Sequence, residues 1–186
     1  ADLGWRALLH ALPELPVVDA VEPRSIHLTG QGLAVFRRPG QVFVAMDYGQ
    51  SGAGHGHPDR LNLLLAQGSA RWLDDLGTGS YVEKSLHWYR SSLAHNAPFV
   101  NGESQRGADG MLTAYDERGD IGWVEAQFVD EGVKFTRTLV VTPRYFVDEL
   151  AWAPAPGAKP KLQASSEPWI DLPWHVDADP QGMTLS

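Results

Sequence analysis

Apolar residues along this chain alternate with polar ones more often than they recur at helical spacing. Runs at 32–37, 41–48, 61–66, 94–100, 121–129, 133–141 and 145–152 alternate or are rich in Val, Phe, Tyr and Trp, with Gly and Pro between them. That pattern predicts β-strands. The clearest hairpin spans 121–141, where IGWVEAQFV and VKFTRTLVV flank Asp130-Glu131-Gly132, a turn with glycine available for positive φ. Consecutive strands on short connections pair antiparallel, and no βαβ alternation is visible. The predicted class is therefore all-β, an antiparallel β-sandwich that buries the apolar face of each sheet against the other. The stretch 153–168, APAPGAKPKLQASSEP, predicts an extended loop before a last strand around 169–176, and no internal repeat is present.

The exception is the start. Leu3, Leu8, Leu9 and Leu12 lie near helical spacing until Pro13 and Pro16 end the pattern. A lone helix this short is marginal without packing. We therefore expect residues 1–20 to be the end of a helical domain and its linker, with the β-domain covering 21–186.

Composition removes several function classes. The net charge is -8 and no Lys/Arg run tracks along the chain, which argues against nucleic acid as a partner. No apolar stretch approaches the ~20 residues a membrane-spanning helix needs. The first residues, ADLGWRALLHALPELP, lack the features of a signal peptide and read as an interior start. With no cysteine, disulfides and thiolate metal sites are excluded, so the seven histidines become the first candidates for metal.

Polar chemistry concentrates at 47–105. His55 and His57 are two apart and share a side on an extended backbone, with Gly54 and Gly56 allowing close approach. Asp75 closes an apolar run at Leu73-Asp74-Asp75-Leu76-Gly77, and His95 opens another at Ala94-His95-Asn96. Two imidazoles and a carboxylate with an open fourth position form a plausible tetrahedral set for zinc or a similar divalent ion. Spacing alone equally accommodates His57 and His95 as ordinary hydrogen-bonding residues near turns.

The ordered blocks DYG…GHGHPD…LN, LDDLGTGSY and YRSSLAHNAPFVNGESQ resemble the C-terminal domain of heparinase II/III-like polysaccharide lyases, the heparinase and oligo-alginate lyase type. In that family an α/α toroid precedes the β-sandwich, which would account for the opening helix. The resemblance implies that His57, Asp75 and His95 hold a structural Zn2+, that His55 faces the substrate cleft, and that Tyr81 lines it. It also implies β-elimination on an anionic polysaccharide containing uronic acid, with the main base and acid, a Tyr and a His, supplied mostly by the toroid domain. The 186-residue chain alone is then expected to be inactive. Degradation of such polyanions places the protein in the periplasm or outside the cell. One departure is Gly54, where some of these lyases carry an Asn that neutralises the substrate carboxylate.

Arg90 is a candidate for pairing a uronate carboxylate bidentately, and Asn96 for a polar contact at the cleft or for orienting the loop of its metal-ligating neighbour. His175 reads as structural, while His10, His27 and His87 stand alone. Two other classes remain open from sequence: a non-catalytic sugar-binding or metal-braced sandwich, with Trp72, Trp88 and Trp123 as stacking candidates, and a zinc hydrolase with a metal-activated water.

Overall fold

The computed structural model describes residues 22–49, 56–106, 109–157 and 169–176. The opening helix expected at 3–12 and His55 lie outside the described residues. Among the described residues eleven strands follow in chain order: β1 (Ile26–Leu28), β2 (Leu33–Arg38), β3 (Val42–Asp47), β4 (Asn62–Gln67), β5 (Ala70–Leu73), β6 (Phe99–Val100), β7 (Met111–Arg118), β8 (Ile121–Asp130), β9 (Val133–Val141), β10 (Phe146–Pro154) and β11 (Ile170–Asp171). A single helical turn, α1 (Leu86–Tyr89), and a 3-10 turn (Ser92–Ala94) separate β5 from β6. Among the described residues no helix is long and apolar enough to cross a membrane.

Two antiparallel meanders make the sandwich. One sheet has the order β1-β2-β3-β4-β5, the other β10-β9-β8-β7, and β11 pairs with β6 in a small third sheet. Strand β9 shows why the chain folds this way. Its Val133, Phe135, Arg137, Leu139 and Val141 are buried while the residues between them are half-exposed, which is the period of two expected for a sheet with one face on the core. From β8, Val124, Ala126 and Phe128 join that face, and they meet Ala34, Phe36, Val44 and Met46 of the first sheet in one apolar core. Gly122 lets the sheets close at one point, since a Cβ there would meet the Phe36 ring and lie 2.7 Å from Arg38 Nη2.

The expected hairpin at 121–141 is present: Asp130 pairs with Val133, and the two residues between them, Glu131 and Gly132, have φ of 46° and 81°. Both positive values identify a type I′ turn, which matches the twist of the flanking strands. Elsewhere the pattern misled. The strand expected at 94–100 is a 3-10 turn leading to the two-residue β6, because the Asn96 backbone N–H donates to the Asn62 side chain instead of a ladder partner. The strand expected around 169–176 contracts to Ile170–Asp171, and Pro173 has no N–H with which to extend it. Strand β7 lies outside the runs that pattern marked, because MLTAYDER sits at a sheet edge with half of its residues exposed and none fully buried.

Candidate metal centre

Register places the chemistry at one end of the first sheet. Asp47, the last residue of β3, pairs with Asn62, the first of β4, so the connection carrying His57 and Asp59 leaves and returns at that edge. Asn62 joins the other two segments. Its amide donates to Asp75 Oδ2 at 2.8 Å, and its oxygen accepts from the Asn96 backbone N–H at 2.9 Å. Asp75 is further held by the Gly77 N–H on Oδ1 at 2.7 Å.

His95 is fully buried and stands at the centre. Its Nδ1 is 2.8 Å from Asp75 Oδ2, its Nε2 is 3.1 Å from His57 Nδ1, and His57 Nε2 is 3.3 Å from Thr78 Oγ1. An ionised carboxylate only accepts, so His95 donates from Nδ1, and in its neutral form it presents a bare Nε2. His57 Nδ1–H donates to that lone pair, and His57 Nε2 accepts from the Thr78 hydroxyl. His57, Asp59 and His95 also bring one ligand atom each within 4.8 Å of one another.

The electrostatics fit a site built for a cation. Burial pushes Asp59 up to about 6, and burial likewise raises Asp47, opposed by the Gly49 N–H. Burial would also raise Asp75, but the hydrogen bond and field of His95, with the bonds from Gly77 and Asn62, bring it below the ordinary value. Burial lowers His57, and the neighbouring His95 adds to this. Buried carboxylates that resist ionisation, such as Asp59, set beside two imidazoles would be relieved by a divalent ion.

A stability consequence follows for the metal-free chain. Folded Asp59 holds its proton to about pH 6, whereas an unfolded aspartate releases it near 3.8. The folded state thus binds more protons in between, and this group's contribution to stability falls as pH rises through that window. Urea unfolding midpoints measured in chelator between pH 4 and 6 are expected to show a flatter decline for Asp59→Asn than for the parent. Identical slopes would refute the assignment.

The other expected site residues divide. Arg90 reaches the loop of His57, donating from Nη2 to the Gly56 carbonyl at 3.3 Å. Tyr81 is 57% exposed on the segment between β5 and α1. Asn96 does not face a cleft. It is fully buried, its amide N–H groups donate to the carbonyls of Leu63 and Asp74, and its oxygen accepts from the His175 N–H. That corrects the expected substrate contact: the amide is consumed in tying the loops together. His175, expected to be structural, has its Nε2 2.7 Å from the Leu93 carbonyl. Sequence reasoning missed Asp59, Asn62 and Thr78. Asp59 had a usable signal, because His57-Pro58-Asp59 repeats the two-residue spacing of His55 and His57.

The donor set fits zinc. Two nitrogens each about 2.05 Å from a tetrahedral ion stand about 3.3 Å apart, close to the 3.1 Å between His57 Nδ1 and His95 Nε2.

No curated protein sequence matches the chain. Similar solved folds include a mutant of heparan sulfate lyase HepC from Pedobacter heparinus, with TM-score 0.63, 15% identity and coverage of 70% of this chain and 22% of that one. The Heparinase III-BT4657 gene product is similar too, with TM-score 0.63, 19% identity and coverage of 78% of this chain and 24% of that one. The likeness at these identities is one of fold, and the chain spans less than a quarter of either structure's length. A sequence profile described as heparinase II/III-like, C-terminal, matches residues 21–182, and with that match over most of its length the chain belongs to the heparinase II/III-like family.

Proposed function

We propose that this chain is the β-sandwich module of a polysaccharide lyase that cleaves uronic-acid-containing glycans by β-elimination, with Zn2+ bracing the loops at the sandwich edge. The observation that carries this reading is the meeting of His57 and His95, ring nitrogens 3.1 Å apart with acids on either side, in a chain of this family. His57 Nδ1 and His95 Nε2 supply the nitrogens. Two acids compete for the oxygen position. Asp59 is the one near both imidazoles, while Asp75 matches the Asp-x-Gly block and is the more readily ionised. When bound, the ion supplies charge compensation and joins segments that are distant in sequence. His57 must then surrender its Nδ1 proton, and Thr78 is placed to accept a hydrogen bond from Nε2–H instead.

Elimination requires that the uronate carboxylate be neutralised, that a base take the adjacent C5 proton, and that an acid protonate the leaving oxygen. From this chain, the Arg90 guanidinium beside the His57 loop suits the carboxylate, and the exposed Tyr81 suits the cleft wall. His55 is assigned to the same cleft by the family resemblance. The principal base and acid belong to the helical domain of the whole protein, so the chain alone lacks both the chemistry and the positioning. The anionic substrate places the protein in the periplasm or outside the cell.

A second reading, non-catalytic glycan binding, is favoured by one observation. A cleft of about 460 Å³ is lined by Trp72, Tyr145, Trp174 and Arg144, and its aromatic rings are exposed. One experiment separates the readings. The whole protein and the 186-residue chain are each assayed for zinc content and for the ultraviolet absorbance of an unsaturated uronate end. The expected result is stoichiometric zinc in both and elimination product from the whole protein only. Saturated product ends would sink the lyase reading in favour of hydrolysis, and oligosaccharide binding without any product would favour the second reading.

A further inference from the structure

Resting on the metal reading above, we infer that Arg137 is a positioning residue for the metal centre, acting from the opposite sheet. It is the single charge in the inner stripe of β9, between Phe135 and Leu139, and it is fully buried. Such a residue is expensive to desolvate unless every donor is used. Its Nε and Nη2 form a bidentate pair with Asp148 of β10 at 2.7 and 2.6 Å. Its Nη1 crosses the core and donates to two main-chain carbonyls, those of Leu61 just before β4 and of Asn96 between the 3-10 turn and β6, each at 2.7 Å.

Those two carbonyls belong to the two segments that must come together for a metal. Leu61 is two residues after Asp59 and four after His57, and Asn96 directly follows His95. Leu61 has φ +63°, a left-handed conformation that a branched residue adopts only when its surroundings enforce it. One guanidinium nitrogen therefore clamps both ligand-bearing segments to each other, and the other two tie them through Asp148 to β10. The planar fork suits this because three nitrogens reach three directions at once, which an ammonium on a flexible stem does not. No bond of Arg137 touches a ligand side chain, so its influence on the metal runs through the backbone separation of the two segments.

The test measures Zn2+ affinity by chelator competition, the visible d–d spectrum of bound Co2+, and the melting temperature of the metal-free protein. The full chain is used as parent, Arg137→Met, Arg137→Lys and Phe36→Ala. The Phe36 ring packs on Tyr115 and Gly122, so its truncation lowers stability away from the His95 turn. A folded protein that has only lost stability keeps its affinity, because apparent binding depends on the competent fraction. The expected result is that Arg137→Met weakens Zn2+ binding by about 10–100-fold, the range found for groups that orient metal ligands, and shifts the Co2+ band. Arg137→Lys should fall between, and Phe36→Ala should melt as low as Arg137→Met while binding Zn2+ like the parent. Parent-like affinity and Co2+ spectrum in folded Arg137→Met would overturn the proposal. An equal affinity loss in Phe36→Ala would overturn it too. If Arg137→Met does not fold, parent-like behaviour of Arg137→Lys overturns it. A parent chain that binds neither ion fails at the metal reading itself, which is visible before any variant is compared.

Discussion

Replacing His95 with alanine is expected to lower Zn2+ affinity by more than about 100-fold, beyond the ~10–100-fold lost when only an orienting partner is removed. The residue does two things at once. Its Nε2 lone pair faces His57, and its Nδ1–H is held by Asp75, which keeps that lone pair aimed at the site. Alanine removes both, and among the described residues it leaves His57 as the one histidine in the group. Titration calorimetry on the folded variant provides the check. The same measurement assigns the oxygen ligand. A coordinating acid, changed to Asn, loses as much affinity as His95→Ala, whereas one that only orients His95 loses about 10–100-fold. Nitrogen-15 NMR of the imidazoles adds a test of the proton arrangement, since His57 should change from Nδ1–H to Nε2–H when Zn2+ is added. Folded His95→Ala chain retaining Zn2+ within a few-fold of the parent would remove the metal centre from consideration.

Asp148→Ala should be the most damaging single change to stability, at about 3–5 kcal/mol, the cost of stranding one partner of a buried ion pair. The Arg137 side chain is 0% exposed and that of Asp148 only 11%, so water cannot replace the lost carboxylate. For a domain of this size the loss corresponds to a fall in melting temperature on the order of 10 °C. Thermal and urea unfolding should agree on it. The double replacement Arg137→Met with Asp148→Leu should recover part of the loss, because an apolar pair leaves no unmatched charge. A deficit below about 1 kcal/mol for Asp148→Ala would place the pair with ordinary surface bridges.

Much of the all-β architecture was legible because local chemistry and tertiary environment agree there. IGWVEAQFV and VKFTRTLVV alternate as strands, and the turn between them contains the glycine that a type I′ geometry requires. Legibility failed at edges and short elements. β7 is an edge strand with no fully buried residue, and β1 has three residues, so neither leaves a strong periodic signal. At the site, His57 and His95 stood out because histidines flanked by glycine and asparagine attract attention. Asp59 did not, since an aspartate after proline reads as any turn residue until the fold turns it toward two imidazoles.

By itself, then, the order of residues determined the antiparallel meanders, the family blocks and the kinds of ligand on offer, since each depends on neighbours within a few positions. Only the tertiary structure decided which acid meets both imidazoles, that Asn96 is spent inside the loops, and that an arginine in an apolar stripe spans the core to the turns of the proposed metal centre. Those outcomes depend on segments far apart in sequence, from 22 residues between Asp74 and Asn96 to 79 between Asn96 and His175. Contacts at that separation arise from packing two sheets face to face, and no local period encodes them.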